Sequence, residues 1–471
     1  MKKMVFTLSI SLSCIMFLTA CHSTLRPTIY ENPAIQSAEQ YKYADLKWVE
    51  ISTLSTEKQA WWEIYHDPIL SGLVQQLNQQ NLTVQQAEAR YRHAIALLDE
   101  QGAAYSPTLN LAAAANRGET KNLGTNRQFS SNLTASWIPD LWGRVAKAVE
   151  GQQANVQASA ADLAAIKLSQ QLLAADSYWN IRLYDSKLDV LKQTQQSYER
   201  SVRILQQQYQ AGLIARADVI QAETQLKQVV TQQLEVQRNR YLQENILAVL
   251  LGKSVAEFNL NKAAYQFNTP KIPTQIPSRL LSQRPDVIRS ERELALTHAQ
   301  LGLAQTAWLP DISIGLDTAL NSQVFSTLFQ SPQSVWSIGI KAMGTIYDGG
   351  KRNAALKQAQ ANYEEKLAAY KHAVLTGWKE VEDGLIQATN FQLQLEEQQQ
   401  LLKLSIENER VATQRYKAGL VSYLEVATAQ NLRLGAEERL LELQQSHIKN
   451  SAQLVAALGG GVVAHDLPTA R

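Results

Sequence analysis

The chain has 471 residues, with 45 Lys and Arg against 43 Asp and Glu and a formal net charge of +2. This balance gives no electrostatic footprint for nucleic acid. The two cysteines, Cys14 and Cys21, leave no disulfide framework or cysteine-based metal site to build on.

At the start, Lys2 and Lys3 precede an apolar run from Val5 to Leu18. A run of about 14 residues has the form of a secretory signal peptide and is shorter than the roughly 20 a spanning helix needs. It ends in Leu18-Thr19-Ala20-Cys21, which resembles the bacterial lipobox. That resemblance implies removal of residues 1–20 and attachment of N-acyl and S-diacylglycerol lipid to Cys21; ordinary signal cleavage beside a chance cysteine is the alternative. His22 stands where an aspartate would resemble an inner-membrane retention signal, so the resemblance favours the outer membrane. Without Lys2 and Lys3 the balance is 43 against 43. After Cys21 no stretch of 18 apolar residues occurs, so strands or the lipid must make any membrane attachment.

Residues 21–66 read as an irregular N-terminal segment and 67–106 as helices. At 107–139 the periodicity changes from helical to alternating. Leu109, Leu111, Ala113 and Ala115 lie on one face of a first strand, and Leu133, Ala135 and Trp137 on one face of a second. A long helical hairpin is expected over 140–252. From Arg144 to Ala211 only Gly151 interrupts it, and at roughly 1.5 Å per residue this helix reaches about 100 Å. No compact domain buries a helix of that length. Leu226, Val230, Leu234 and Tyr241, spaced by four and seven, define a face suited to coiled-coil packing. An irregular linker at 253–283 follows.

The order then recurs: a helix at 284–309, alternating strands at 310–346, a second long hairpin at 347–458 and a tail at 459–471. "YQAGLIARADVIQAE" at Tyr209 returns as "YKAGLVSYLEVATAQ" at Tyr416, an offset of 207. "QGAAYSPTLNL" at Gln101 returns as "AQTAWLPDISI" at Ala304, an offset of 203. Gly143-Arg144 matches Gly350-Lys351, and Leu251-Gly252 matches Leu458-Gly459, so the four-residue change falls within the strand region. Internal duplication sets the architecture. In the second half Ile312, Ile314 and Leu316 alternate, as do Trp336, Ile338, Ile340 and Ala342. Four strands of about ten residues suit a tilted membrane barrel. Four cannot close around a channel, so that reading needs several chains; a soluble sheet with one buried face is the alternative.

"IPSRLLSQRPDVIRSERELALTHAQLGLAQTAWLPDISIGL", Ile276 to Leu316, is similar to the signature of the outer membrane factors of TolC/OprM type, in the lipoprotein branch serving tripartite efflux pumps. Ser290 departs from the usual alanine, and Trp308-Leu309 from Ala-Phe. The two tips and "YDGGKR" at Tyr347 are further matches. The resemblance implies an α+β membrane protein, a homotrimer whose long antiparallel coiled-coil helices form a periplasmic tunnel beneath a twelve-stranded β-barrel in outer-membrane lipid. It also implies a periplasmic adaptor and an inner-membrane transporter as partners, with no cofactor beyond the lipid. Gly212, Leu213, Gly419 and Leu420 would meet the adaptor. Leu424, Glu425 and Thr428 would ring the periplasmic aperture, with Thr428 standing where an aspartate is usual. Ser422 and Glu425 also have capping-box spacing, a local alternative for the carboxylate.

An enzyme is not expected. "GTIYDGGKR" at Gly344 misses the phosphate-loop pattern, since Gly350 intervenes and no Ser or Thr follows Lys351. The seven histidines show no metal-ligand pair. The competing function is a lipid-anchored periplasmic coiled-coil scaffold without a pore.

Overall fold

The computed structural model describes Tyr30, Pro33 and residues 60–120, 124–270, 284–330 and 334–459. The lipobox, Cys21 and the tail beyond Gly459 lie outside the described residues. A short turn at Trp61–Tyr65 leads into α1 (Pro68–Gln80) and α2 (Leu82–Gly102). Next come β1 (Thr108–Thr120), β2 (Gly124–Trp137), α3 (Arg144–Gln210) and α4 (Arg216–Leu250). The second half supplies α5 (Pro285–Gln305), β3 (Asp311–Ser322), β4 (Ser334–Met343), α6 (Lys351–Lys417) and α7 (Tyr423–Ala457).

Local chemistry sets these boundaries. Asp67 caps α1 by accepting from the Ile69 and Leu70 amides at 2.9 and 3.1 Å, with Pro68 at the first helical position. Asn81 caps α2 through the Val84 amide at 2.9 Å. Gly143 and Gly350 start α3 and α6 in the left-handed conformation. Gly151 has another reason to be glycine: a Cβ there would lie 3.3 Å from both Ala299 and Leu296, so its absence lets α5 press against α3.

The duplication holds in detail. α3 and α6 each have 67 residues, α4 and α7 each 35, and α2 and α5 each 21. The strand register carries both offsets: Thr108 faces Ser136 in the first hairpin, and Asp311 faces Met343 in the second. Even a tertiary hydrogen bond is copied. The Asn81 side chain donates to the Leu250 carbonyl at 2.8 Å, and Arg284, its counterpart, donates to the Ala457 carbonyl at 3.0 Å. Each ties the start of a shorter helix to the end of a long hairpin.

The two β-hairpins join through β2 and β3 into one antiparallel sheet of order β1-β2-β3-β4. Its alternation is as the sequence predicts, but its apolar residues are not covered by the chain itself. Leu111 is 73% and Ile340 76% exposed. A soluble sheet with a buried face is therefore not what forms.

The main core lies at mid-length, where Trp61, Tyr65, Leu70, Leu77, Tyr178, Trp179, Leu247 and Ile448 pack together. Tyr65 meets Trp179 edge-on at 5.0 Å and its hydroxyl shares a 2.8 Å hydrogen bond with Ser451. Beside it a buried ionic network holds the non-regular segment after α4. Arg240 bonds Asp185 at 2.6 Å and Glu244 at 3.0 Å, while Arg182 reaches Asp185 at 3.2 Å. Arg240 also donates to the Leu260 carbonyl, Arg182 to the Asn261 carbonyl, and Glu244 accepts from the Leu260 amide.

The expected coiled-coil face of α4 needs a correction. Leu226 and Val230 are half-buried, with Leu226 packed against the cores that contain Val219 and Val229, but Leu234 and Tyr241 are exposed, and the residues fully turned inward include Val219, Ala222, Gln225, Val229, Arg240 and Leu247. The Leu234 face is therefore an outer one, because α3 lies against the neighbouring stripe. Glutamine also enters the core rather than keeping to solvated faces: Gln225 donates to the Ala427 carbonyl at 2.9 Å.

Asp185→Ala should cost about 3–5 kcal/mol, the usual effect of stripping one partner from buried charges. Denaturant unfolding followed by helical circular dichroism measures it; a change below 1 kcal/mol would mean the network is solvated.

Candidate functional site at the helical tips

Both long hairpins end in the same motif. Helix α3 stops at Gly212, where φ is 70°, and α6 at Gly419, where φ is 71°. The Gly212 amide bonds the Tyr209 carbonyl and the Leu213 amide the Gln208 carbonyl, both at 2.9 Å. Gly419 and Leu420 repeat this with Tyr416 and Arg415 at 2.9 and 3.0 Å. These are Schellman closures, which require a left-handed residue that glycine supplies without a Cβ penalty. Leu213 and Leu420 follow at the turn apices, 73% and 71% exposed. The four tip residues singled out in the sequence thus form two matching apolar knobs on rigid turns.

Leu424, Glu425 and Thr428 occupy the first turns of α7. Leu424 is 57% exposed, and Thr428 is exposed one turn further along. Asn431, Leu432 and Gly435 extend this uncovered face. Thr428 is satisfied locally, since its hydroxyl donates to the Leu424 carbonyl at 2.8 Å. The capping box does not form: the Ser422 side chain makes no cap hydrogen bond. Glu425 is held instead by Arg415 at 2.5 Å, across the turn. The cation sits on the last turn of α6, where the helix dipole also favours it, and it draws the carboxylate away from the α7 amides. Arg415 is the partner of Glu425 that the sequence reading missed; its position ten before Glu425, across a tight glycine turn, was the available signal.

The opposite face of α7 fastens the second hairpin to the first. Tyr423, Val426, Ala427 and Ala429 pack with Val202, Leu205, Val219, Ala222 and Ala412. Tyr416 meets Tyr423 at 5.7 Å and donates to Gln208 at 3.3 Å. Its repeat counterpart, Tyr209, is exposed. Burial, with Asp218 adding to it, pushes the Tyr416 hydroxyl pKa up. Above this clasp lies a groove of about 1110 Å³ whose lining includes Gln206, Glu223, Gln228, Asn431 and Glu438. Burial raises the Glu438 carboxyl, with Lys187 opposing. Among the described residues no group of His, Cys, Asp and Glu is arranged to hold a metal ion, and no helix is long and apolar enough to cross a membrane.

Comparison with known proteins agrees with this geometry over nearly the whole chain. The pyoverdine export outer membrane protein OpmQ of Pseudomonas putida is 28% identical over 429 residues, covering 87% of this chain and 90% of that protein. The probable outer membrane lipoprotein SilC of Salmonella typhimurium is 26% identical over 459 residues, covering 96% and 98%. The crystal structure of the Campylobacter jejuni CmeC outer membrane channel superposes with a TM-score of 0.87 at 22% identity, covering 94% of this chain and 96% of that one. That likeness establishes the fold. The family model described as outer membrane efflux protein matches residues 73–253 and 276–460, one segment for each half of the duplication. The chain belongs to the outer membrane efflux protein family.

Proposed function

We propose that the chain is one protomer of a homotrimeric exit duct, through which a tripartite efflux pump passes small toxic compounds from the periplasmic assembly to the outside. One observation carries the reading: a four-stranded sheet with an exposed apolar face and two free outer edges. Three such sheets give twelve strands, enough to enclose a channel. A scaffold without a pore has no use for this sheet. Helices of about 100 Å then extend the duct into the periplasm.

The duct is passive, so its residues position and gate rather than react. Leu213 and Leu420 are apolar anchors on pre-formed turns, suited to the tips of a periplasmic adaptor that in turn meets an inner-membrane transporter. Leu424, Glu425 and Thr428 face the aperture from the tip of the second hairpin, which the Tyr423 cluster holds to the first. The tip is the moving part: parting it from α3 and α4 opens the Tyr423 cluster and frees Gln208 and Gln225, while Leu434 on the Leu191 and Tyr198 cluster and the Lys187–Glu442 pair hold the hairpin further along, as a gate with two arrangements requires. The Arg415 pair partly neutralises Glu425, so each aperture carboxylate acts through its guanidinium partner. Cys21 carries the lipid, a second attachment beside the barrel; SilC bears the name of an outer membrane lipoprotein.

Cys21→Ala should abolish incorporation of labelled palmitate, and unchanged labelling would remove the lipid from this account. In planar bilayers the purified trimer should conduct, with Trp137 and Trp336 open to lipid-phase quenchers. Folded trimer that stays silent, with both tryptophans protected, would favour the scaffold. Leu424→Ala should raise conductance. Glu425→Gln should shift preference from cations toward anions, because it leaves Arg415 unpaired at the aperture. Asp218→Asn, on the other hairpin, should leave selectivity nearly unchanged; an equal shift would assign the aperture to the first hairpin.

A further inference from the structure

The sheet marks its own level in a membrane. At its lower end, beside the helices, Tyr105, Trp137, Trp142 and Trp308 are exposed, the composition of an aromatic girdle at one interface of a barrel. Trp137 belongs to the apolar face, and its indole donates to the Tyr105 carbonyl at 3.0 Å. From Trp137 to Arg127, at about 3.4 Å per residue and a tilt of about 40°, β2 climbs about 26 Å, close to the height of about 25 Å of the apolar band in such barrels. Arg127 therefore stands at the opposite interface.

At that level the apolar face carries two cations. The register of β1 and β2 sets Leu109 opposite Ala135, Leu111 opposite Leu133, Ala113 opposite Ser131 and Ala115 opposite Phe129, and the next pair on the same face is Arg117 opposite Arg127. The polar face holds only the amides of Asn116 and Gln128 there, again directly opposite. Both arginines are exposed, as is Glu119, the next residue of β1 on their face. Among the described residues neither guanidinium has a hydrogen-bond or ion-pair partner, although the lower end of the sheet is ion-paired through Arg144 and Asp311. Like charges directly opposite weaken a strand pair, so an anion bridging the two guanidiniums turns a repulsive contact into an attractive one. The flank of the pair is apolar: the turn after β3 lays Phe325 edge-on against Phe129 at 5.7 Å. The second half of the duplication has no such pair. The offsets of 203 and 207 carry Arg117 to Leu320 and Arg127 to Ser334, which face each other in β3 and β4.

We propose that Arg117 and Arg127 bind a lipid phosphate, that of the phosphorylated glycolipid, lipopolysaccharide, which forms the outer leaflet of an outer membrane. Three features select this ligand. Each guanidinium presents a planar fork that matches phosphate oxygens, and two forks on adjacent strands can hold one phosphate between them. The side is that of lipid, because Arg117 and Arg127 continue the row of Leu111, Ala113, Ala115 and Phe129, over which acyl chains would lie. The level is that of the outer leaflet, because the pair stands at the end of the sheet remote from the long helices, which extend into the periplasm. A phospholipid of the inner leaflet meets the tryptophan end instead.

This site rests on the barrel reading and adds a ligand to it, so the conductance of the parent protein is recorded beside the binding. Fluorescent lipid A carrying both phosphates should bind the full-length trimer in detergent and raise the temperature at which it dissociates. Arg117→Gln and Arg127→Gln should each weaken binding about tenfold, the effect of losing roughly one charge-assisted hydrogen bond. The double variant should gain no thermal resistance from lipid A. Arg127→Lys, which keeps the charge and loses the fork, should bind with intermediate affinity. Arg203→Gln, at an exposed site on α3, should bind as the parent does. Parent-like binding by the double variant would overturn the site, and equal binding of dephosphorylated lipid A would overturn phosphate recognition. Phosphatidylglycerol bound as tightly as lipid A would overturn the glycolipid assignment. A conducting trimer that fails these tests loses the site and keeps the channel reading; a parent protein that neither trimerises nor conducts loses both.

Discussion

A strand edge inside a bilayer has no water to satisfy it, and this single constraint organises the molecule. Four strands per chain leave two edges open, so the chain is chemically incomplete alone. The exposed Leu111 and Ile340 are consistent with a sheet that has lipid on one side and a lumen on the other. Elements that would be liabilities in a soluble monomer are thus the sites of assembly. The outward face of α4 with Leu234 and Tyr241 belongs to the same logic.

Rigidity is distributed unevenly along the length. At mid-length the aromatic core and the Arg182, Asp185, Arg240 and Glu244 network lock helices and the Leu260 segment together. Such a network contributes less to net stability than to fixing one arrangement, since desolvating charges offsets much of their attraction. At the far end the second hairpin rests on a small cluster and a few amide contacts. A duct that opens at one end needs this gradient.

Duplication produced two hairpins of equal length, and small substitutions distinguish their tips. Tyr416 is packed where Tyr209 is exposed. Arg415 and Glu425 bridge the second tip, while the first has Gln208 and Asp218 at the matching positions. Arg284 and Asn81 both bond the end of a hairpin, yet only Arg284 adds ion pairs, to Asp286 and Glu380. Equal helix lengths keep the two hairpins matched, while their side chains at the tips differ.

The sequence alone determined the periodic features: helix lengths free of breakers, the glycine turns, the alternating strands and the two offsets of the repeat. These depend on local spacing, which a linear chain displays directly. It also placed Leu213 and Leu420 at the turn apices, directly after the glycines, where the structure leaves them exposed. What only the tertiary structure decided was which face of each element turns inward and which partner wins a shared group. The seam of α4 kept Leu226 but left Leu234 and Tyr241 outside, because α3 approaches from the neighbouring stripe. Ser422 and Glu425 had capping-box spacing, but Arg415 was brought within reach by the reversed chain and took the carboxylate. The Arg182 to Glu244 network was equally hidden, since its members are spread over two helices and complete their bonds only on the carbonyls and amide of a third segment. Competition among partners is settled by distance in space, and spacing along the chain does not encode it.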